Sequence, residues 1–406
     1  MSETVRLTIH EFGPISDADI VFDKYTVLTG KQGSGKSTVA KLYSMFTWME
    51  KDLARRITSE KYITQYARFQ KKYCAYHRLD TYFKEDTVIH FYGLHYNFFY
   101  EQDRFRIEEM ESQTDYNVAK VMYVPAERNF LSTVDNPTNL KNLPESLQTF
   151  LEEFENAKKE LNNGYQLPFN EIGFEYDVLN KISWIKGKDY KIRLSAASSG
   201  YQSVIPLALV TKFLSDLVQD NASKEDLDLK ERNQIKKEVD RVMNDNTLTE
   251  EVKFAILRTI SSRFRYSHFV NIVEEMEQNL YPESQMGVLF ELLSCTNKTE
   301  QNSLLLTTHS PYVINYLTLA GKAFLVTQKV SENGVLLEKI KNVVPSQSIV
   351  NPMQLRIYEL KDGVVQPLKE YEGLPSDENF LNMQLGLTND LFDRLLEIEE
   401  EYDNEH

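Results

Sequence analysis

"LTGKQGSGKSTVAKLYSM", Leu28 to Met45, decides how the rest of the chain is read. Within it, Gly30-Lys31-Gln32-Gly33-Ser34-Gly35-Lys36-Ser37 fills every fixed position of G-x-x-x-x-G-K-[ST]. Holding a phosphate requires these residue types. Gly30, Gly33 and Gly35 let the backbone curl with its N–H groups turned inward. A helix starting near Gly35 aims its positive end at the same anion. Lys36 is placed to reach β- and γ-phosphates and Ser37 to ligate magnesium, while Gln32, Ser34 and Thr38 complete the loop. An apolar strand, Tyr25 to Leu28, delivers the chain into it, preceded by alternating strands that turn at Gly13-Pro14.

Three further stretches follow in order. "LSAASSGYQS" opens a helix with small residues around Ser199 and Gly200, leaving N–H groups exposed for an anion. "FVNIVEEMEQNLYP" is an apolar strand, Phe269 to Val273, ending in two carboxylates. Glu274 stands where an acid would hold magnesium through water, and Glu275 where a general base would polarise an attacking water. "LLLTTHSPYVI" is a buried strand from which His309 emerges at the carboxyl end, the edge where open α/β sheets bind ligands. A lone histidine is more often structural; here it follows the other elements and can donate a hydrogen bond to a γ-phosphate.

Together these pieces resemble the ABC-type ATPases, on the side of the SMC-like and overcoming-lysogenization-defect (OLD) proteins rather than the transporters. Ser199 and Gly200 match the serine and first glycine of the ABC signature and Gln202 its glutamine, while Tyr201 replaces the second glycine. In the OLD-like run, Glu277, Asn279, Leu280 and Pro282 match, and Met276 and Tyr281 depart from the usual proline and histidine. "YVPAER", Tyr123 to Arg128, stands at the Q-loop but carries Ala126 in place of the glutamine, leaving Glu127 or Arg128 as substitutes. The resemblance implies an α/β, ABC-type P-loop ATPase domain with an antiparallel β subdomain, helical insertions and a small C-terminal tail. It implies ATP and Mg2+ as ligands. Lys36, Ser37, Glu274, Glu275 and His309 would act in one subunit and Ser199 and Gly200 from a second copy, with the other residues of the glycine loop and Gln202 also among the nucleotide-binding candidates.

Composition fits such a chain and narrows its partners. The 406 residues are 41% hydrophobic and 26% charged, with net charge -15, which argues against a whole surface built on phosphate neutralisation. Cys74 and Cys295 lie far apart in no metal-ligand spacing, so reduced thiols and a cytoplasmic location are expected. The N-terminal stretch reads as a strand, without the apolar core of a signal peptide, and no apolar run approaches the ~20 residues of a membrane helix. Residues 51–85 read as helical and locally basic, with Tyr62, Tyr66, Phe69, Tyr73 and Tyr76 interleaved. Either an aromatic face packs on the core under a solvated basic face, or the segment contacts nucleic acid. Residues 87–109 read as a β-hairpin or meander, 145–162 as a charged helix, and 218–263 as a charged helical insertion.

The expected division is an ATPase domain over 1–350, with insertions at about 45–85 and 209–263, and a C-terminal segment over 351–406. That segment reads as a hairpin around Asp362-Gly363 and an acidic amphipathic helix. On the helix, Leu391, Phe392, Leu395, Leu396 and Ile398 share a side, which either covers the chain's own core or docks a second subunit. After His309 no glutamate-glycine is followed by the Asp-x-Asp pair of a TOPRIM nuclease, so any nuclease or toxin is expected to be a separate protein. Stand-alone ATPases of this resemblance accompany such effectors in bacterial anti-phage systems of the Septu, PARIS and retron kinds. Three readings stay open: a self-associating ATPase that gates a separate effector, an ATPase that clamps DNA through residues 51–80, and a scaffold that binds ATP with negligible turnover.

Overall fold

The computed structural model describes residues 4–110, 118–161, 164–220, 229–245, 247–249, 252–253, 256–257, 260, 265–376 and 378–405. Strands β1 (Arg6–Phe12) and β2 (Ile15–Val21) form the first hairpin, and β3 (Tyr25–Gly30) enters the glycine loop. Helix α1 (Lys36–Ala54) leaves that loop, and α2 (Glu60–Thr64) follows. Next come β4 (Phe83–Tyr92), β5 (Tyr96–Glu101), β6 (Arg104–Glu109), β7 (Ala119–Val124) and α3 (Glu145–Lys159). The short strands β8 (Tyr165–Gln166), β9 (Gly173–Asp177), β10 (Ile182–Lys186) and β11 (Lys191–Arg193) form a separate antiparallel sheet leading into α4 (Ser199–Gln219). Beyond α5 (Leu229–Met243) lie β12 (His268–Glu274), α6 (Pro282–Thr296), β13 (Ser303–Thr308), α7 (Pro311–Lys329) and α8 (Gly334–Lys341). The chain closes with β14 (Leu355–Lys361), β15 (Val364–Pro367) and α9 (Phe380–Glu405).

The fold is mixed α/β. Among the described residues the main sheet orders its strands β6-β5-β4-β1-β2-β15-β14-β3-β13-β12-β7. Its first half is the expected antiparallel meander; in the second half β14, β3, β13, β12 and β7 run parallel. The parallel strands are the near-continuous apolar runs that burial on both faces requires. Alternate residues on them serve opposite layers. Val27, Val273 and Leu306 join the core with α3, α4, α6 and α7, whereas Leu28, Ile272 and Leu305 join the core beneath α1. Each fully buried Leu or Phe contributes about 1.5–3 kcal/mol.

Two segments differ from the simplest reading. The 51–85 stretch is broken rather than one helix: Arg56, Tyr66, Ala67 and Arg78 take positive φ, and Phe69–Cys74 is a π-helical turn. That turn buries Phe69 against Phe46, Phe98 and Phe105 through aromatic contacts direct or shared, while Tyr66 remains 79% exposed. The aromatic residues thus divide between core and surface. The hairpin expected at Asp362-Gly363 forms, with both residues at positive φ as a two-residue type I′ turn requires, and it is built into the main sheet with β14 beside β3. Along α9, by contrast, Met383, Leu387, Leu391, Phe392, Leu395 and Ile398 are exposed. Of the charged 218–263 stretch, α4 continues to Gln219 and α5 is helical; the remainder lies in part outside the described residues.

Candidate functional site

Because β14, β3, β13, β12 and β7 are parallel, their carboxyl ends share one edge. The glycine loop, His309, Glu275 and Pro125 therefore leave the sheet side by side. Gly30 (φ 146°), Gly33 (φ 77°) and Gly35 (φ 104°) all occupy backbone that favours glycine. A Cβ on Gly30 would also stand 2.3 Å from the Leu360 carbonyl oxygen, so β14 seals one side of the loop. Lys36 is 5% exposed, and its Nζ donates to the carbonyls of Gly30 and Lys31, both at 2.8 Å. Burial pulls its ammonium down to about 8, against the opposing pull of Glu275, Glu277 and Glu274.

Lys36 Nζ lies 3.5 Å from His309 Nδ1, and His309 Nε2 lies 3.3 Å from Glu275 Oε1. One tautomer satisfies both contacts: Nδ1 accepts from Lys36 and Nε2–H donates to Glu275. The His309 contact, outweighing burial, holds the Glu275 carboxyl below its usual range, and the charges of Lys36 and Arg128 add to this. Glu275 sits at φ 44°, a left-handed conformation that costs a non-glycine residue about 1–3 kcal/mol, pinned by its N–H to the Thr307 carbonyl at 3.0 Å.

Glu277 plays a part that motif matching did not reveal. Its Oε1 accepts from the His309 N–H at 2.7 Å and from Thr308 Oγ1 at 2.8 Å, which fixes where His309 leaves the strand. Arg128 is a second such residue. It is fully buried and donates to the carbonyls of Glu274 (2.6 Å), Glu275 (2.7 Å), Pro125 (3.1 Å) and Ser203 (3.2 Å). It therefore ties the start of α4 to the end of β12, and its donors are turned to backbone rather than offered in place of a Q-loop glutamine. Glu127 is exposed, and the Ala126 N–H lies 3.4 Å from Glu274 Oε2.

At the start of α4, Ser198 and Ser199 are exposed and Gly200 is buried. A Cβ on Gly200 would meet the Asn279 carbonyl at 2.8 Å, and Ser203 Oγ donates to Gln278 Oε1 at 3.2 Å. Gln202 turns inward, its Nε2 donating to the carbonyls of Ser195 (3.1 Å) and Leu194 (3.3 Å). Among the described residues no hydrogen bond joins 198–202 to the glycine loop. The fold thus brings Gly30 to Thr38, Glu274, Glu275 and His309 together and leaves Ser199 and Gly200 outside that group.

Magnesium and a triphosphate fit the residues present. Glu274 is 4% exposed, and its Oε1 is buried without a partner among the described residues, as are Ser34 Oγ and Glu277 Oε2. Ser34 lies in the glycine loop itself, and Glu274 and Glu277 stand near enough to Lys36 for their charges to act on it. Ser37 and Glu274 are the oxygens that would hold the ion; magnesium typically takes one or two protein ligands and completes its shell from phosphate and water. Two contributors escaped sequence reading altogether. Leu360 closes against Gly30, and the Phe380 ring at the root of α9 stacks 5.0 Å from Lys31 Nζ.

No family model matches the chain, and no curated protein matches it. Solved structures to which it is similar include the SMC head domain from Thermotoga maritima, at 11% identity over 91% of this chain and 100% of that one, with TM-score 0.34. Another is the recombination mediator RecF, at 9% identity over 90% and 99%, with TM-score 0.28. A nucleotide-free ATP-binding cassette from an ABC transporter overlaps at 12% identity over 91% and 93%, with TM-score 0.27. The chemistry of the site stands on its own geometry, apart from these overlaps.

Proposed function

We propose that the chain is an ATP-binding and hydrolysing ATPase of the ABC/SMC-like kind, in which two copies close head to tail over ATP. The observation that carries this reading is the linked set Lys36, His309 and Glu275 at the mouth of the glycine loop. Lys36, freed from its loop carbonyls, would bind β- and γ-oxygens. Glu275, ionised and aimed by His309, would accept the proton of the attacking water. Magnesium, when bound, offsets phosphate charge. The N–H groups of Ser199 and Gly200 at the start of α4 would complete the site of the opposite copy, which gives ATP a contact present only on closure and hence a means of shifting the population. Size-exclusion chromatography with light scattering tests this: Glu275→Gln with ATP and magnesium should dimerise, and Ser199→Arg should prevent it without weakening ATP binding. A monomer at saturating ATP would refute the closure.

The larger role we propose is the gating of a separate effector, a nuclease or toxin, in prokaryotic anti-phage defence. The motif run supports it, as does α9, where Leu391, Phe392, Leu395 and Ile398 are 49%, 61%, 63% and 61% exposed rather than packed on the chain's own core. A second reading, direct DNA clamping, is favoured by one feature. Arg68 stacks between the exposed rings of Tyr62 (4.0 Å) and Tyr66 (4.9 Å), a cationic aromatic surface suited to a single strand. Loss of retention on single-stranded DNA at low salt in Arg68→Ala separates it from effector gating.

A further inference from the structure

Away from the glycine loop, a cavity of about 390 Å³ opens between α1, the π-helical turn, β7 and α3. That volume falls within the ~300–1,000 Å³ of small-molecule sites. Trp48, Lys72, Glu145 and Glu152 are exposed at its mouth, and Tyr76 and Tyr73 line its wall. Its inner end is built from buried polar groups. His77 is 3% exposed, and its Nδ1 has no partner among the described residues. Beside it, Lys120 Nζ pairs with Glu153 at 2.9 Å. Lysines and glutamates both face the space, so the site favours a ligand with donors and acceptors over a bare anion. Its several aromatic side chains suit a planar ring, since stacking is tolerant of which ring is offered.

We propose that this cavity binds a nucleoside or mononucleotide, with the base between the aromatic walls, a ring edge on His77 and the sugar or phosphate toward Lys72 at the mouth. Such a ligand would reach the catalytic edge. The His77 ring stands edge-on to Tyr123 at 4.9 Å, and Tyr123 is a buried phenol on β7, paired with β12, the strand that ends in Glu274. Occupancy would therefore bear on the carboxylate assigned to magnesium. This last step rests on the ATPase reading; the binding itself does not.

The chain has two tryptophans, Trp48 and Trp184, so Trp184→Phe leaves Trp48 as the reporter at the mouth. Adenosine, guanosine, cytidine and thymidine, which carry no phosphate for the glycine loop, are titrated against its fluorescence, followed by their monophosphates and a short single-stranded oligonucleotide. At least one nucleoside should change the emission saturably. His77→Phe, which keeps the ring and removes the unpartnered nitrogen, should weaken binding by up to about tenfold, and Ser146→Phe at the mouth should abolish it. No response to any nucleoside at millimolar concentration, a response to the oligonucleotide alone, or unchanged titrations in both variants would overturn the proposal. In the native protein the same nucleoside should alter ATP turnover. Failure of that arm with an intact Trp48 titration would sink the coupling and leave the site standing.

Discussion

His309 Nε2 and Glu275 Oε1 stand 3.3 Å apart at the ends of two adjacent parallel strands. The imidazole thus orients the carboxylate before any substrate arrives. His309→Ala should lower ATP turnover by about 10²-fold, the usual cost of one preorganised donor, and leave ATP affinity within a few-fold. Steady-state phosphate release alongside a binding titration checks both; equal turnover would remove His309 from the site.

Lys36 predicts a pH dependence with a definite sign. Burial places its ammonium near 8. A bound triphosphate favours the protonated form, so affinity should be flat below that pH and fall above it, by up to about tenfold per pH unit. Lys36→Arg, whose guanidinium stays protonated, should remove the decline above about pH 8. Isothermal titration at several pH values measures it; a decline that survives in Lys36→Arg would assign it elsewhere.

Arg128 should matter to stability as well as to communication. Arg128→Met leaves four carbonyls, three of them buried, without their charged donor, at a cost above about 3 kcal/mol in urea unfolding. Gly30→Ala should also destabilise the loop, because its Cβ would strike the Leu360 carbonyl. A lowered Tm and lost ATP binding in Gly30→Ala are expected; a native Tm would contradict the closeness of β14.

The exposed side of α9 makes the opposite prediction. Replacing Leu391, Leu395 and Ile398 with Gln should move stability by less than about 0.5 kcal/mol per site, as for surface positions, and spare turnover in the isolated chain. Loss of effector binding is the expected phenotype. A marked fall in Tm by calorimetry would mean that this side is covered by the chain itself.

What was legible in the sequence and what was not divide along a physical line. The glycine spacing around Lys36, the paired Glu274 and Glu275, and the histidine after Thr308 are local patterns, each closing an apolar strand, and the parallel sheet collects such ends without further instruction. Glu277, Arg128 and Leu360 act on backbone atoms brought near by topology, so nothing within a few residues of them announces the role. Arg128 illustrates this: beside Pro125 it reads as a loop arginine, yet the fold seals it completely and spends its donors on three separate segments. Helical spacing identified the apolar side of α9, but spacing alone does not tell a face on the core from a face on solvent.

The central claim, that Glu275 activates water at a nucleotide held by Lys36, is tested most directly by phosphate release from Glu275→Gln and native protein at saturating ATP and magnesium. The expected result is a loss of about 10²- to 10⁴-fold, the range of general base catalysis, with ATP still bound by the variant. Equal rates in the two proteins would contradict it.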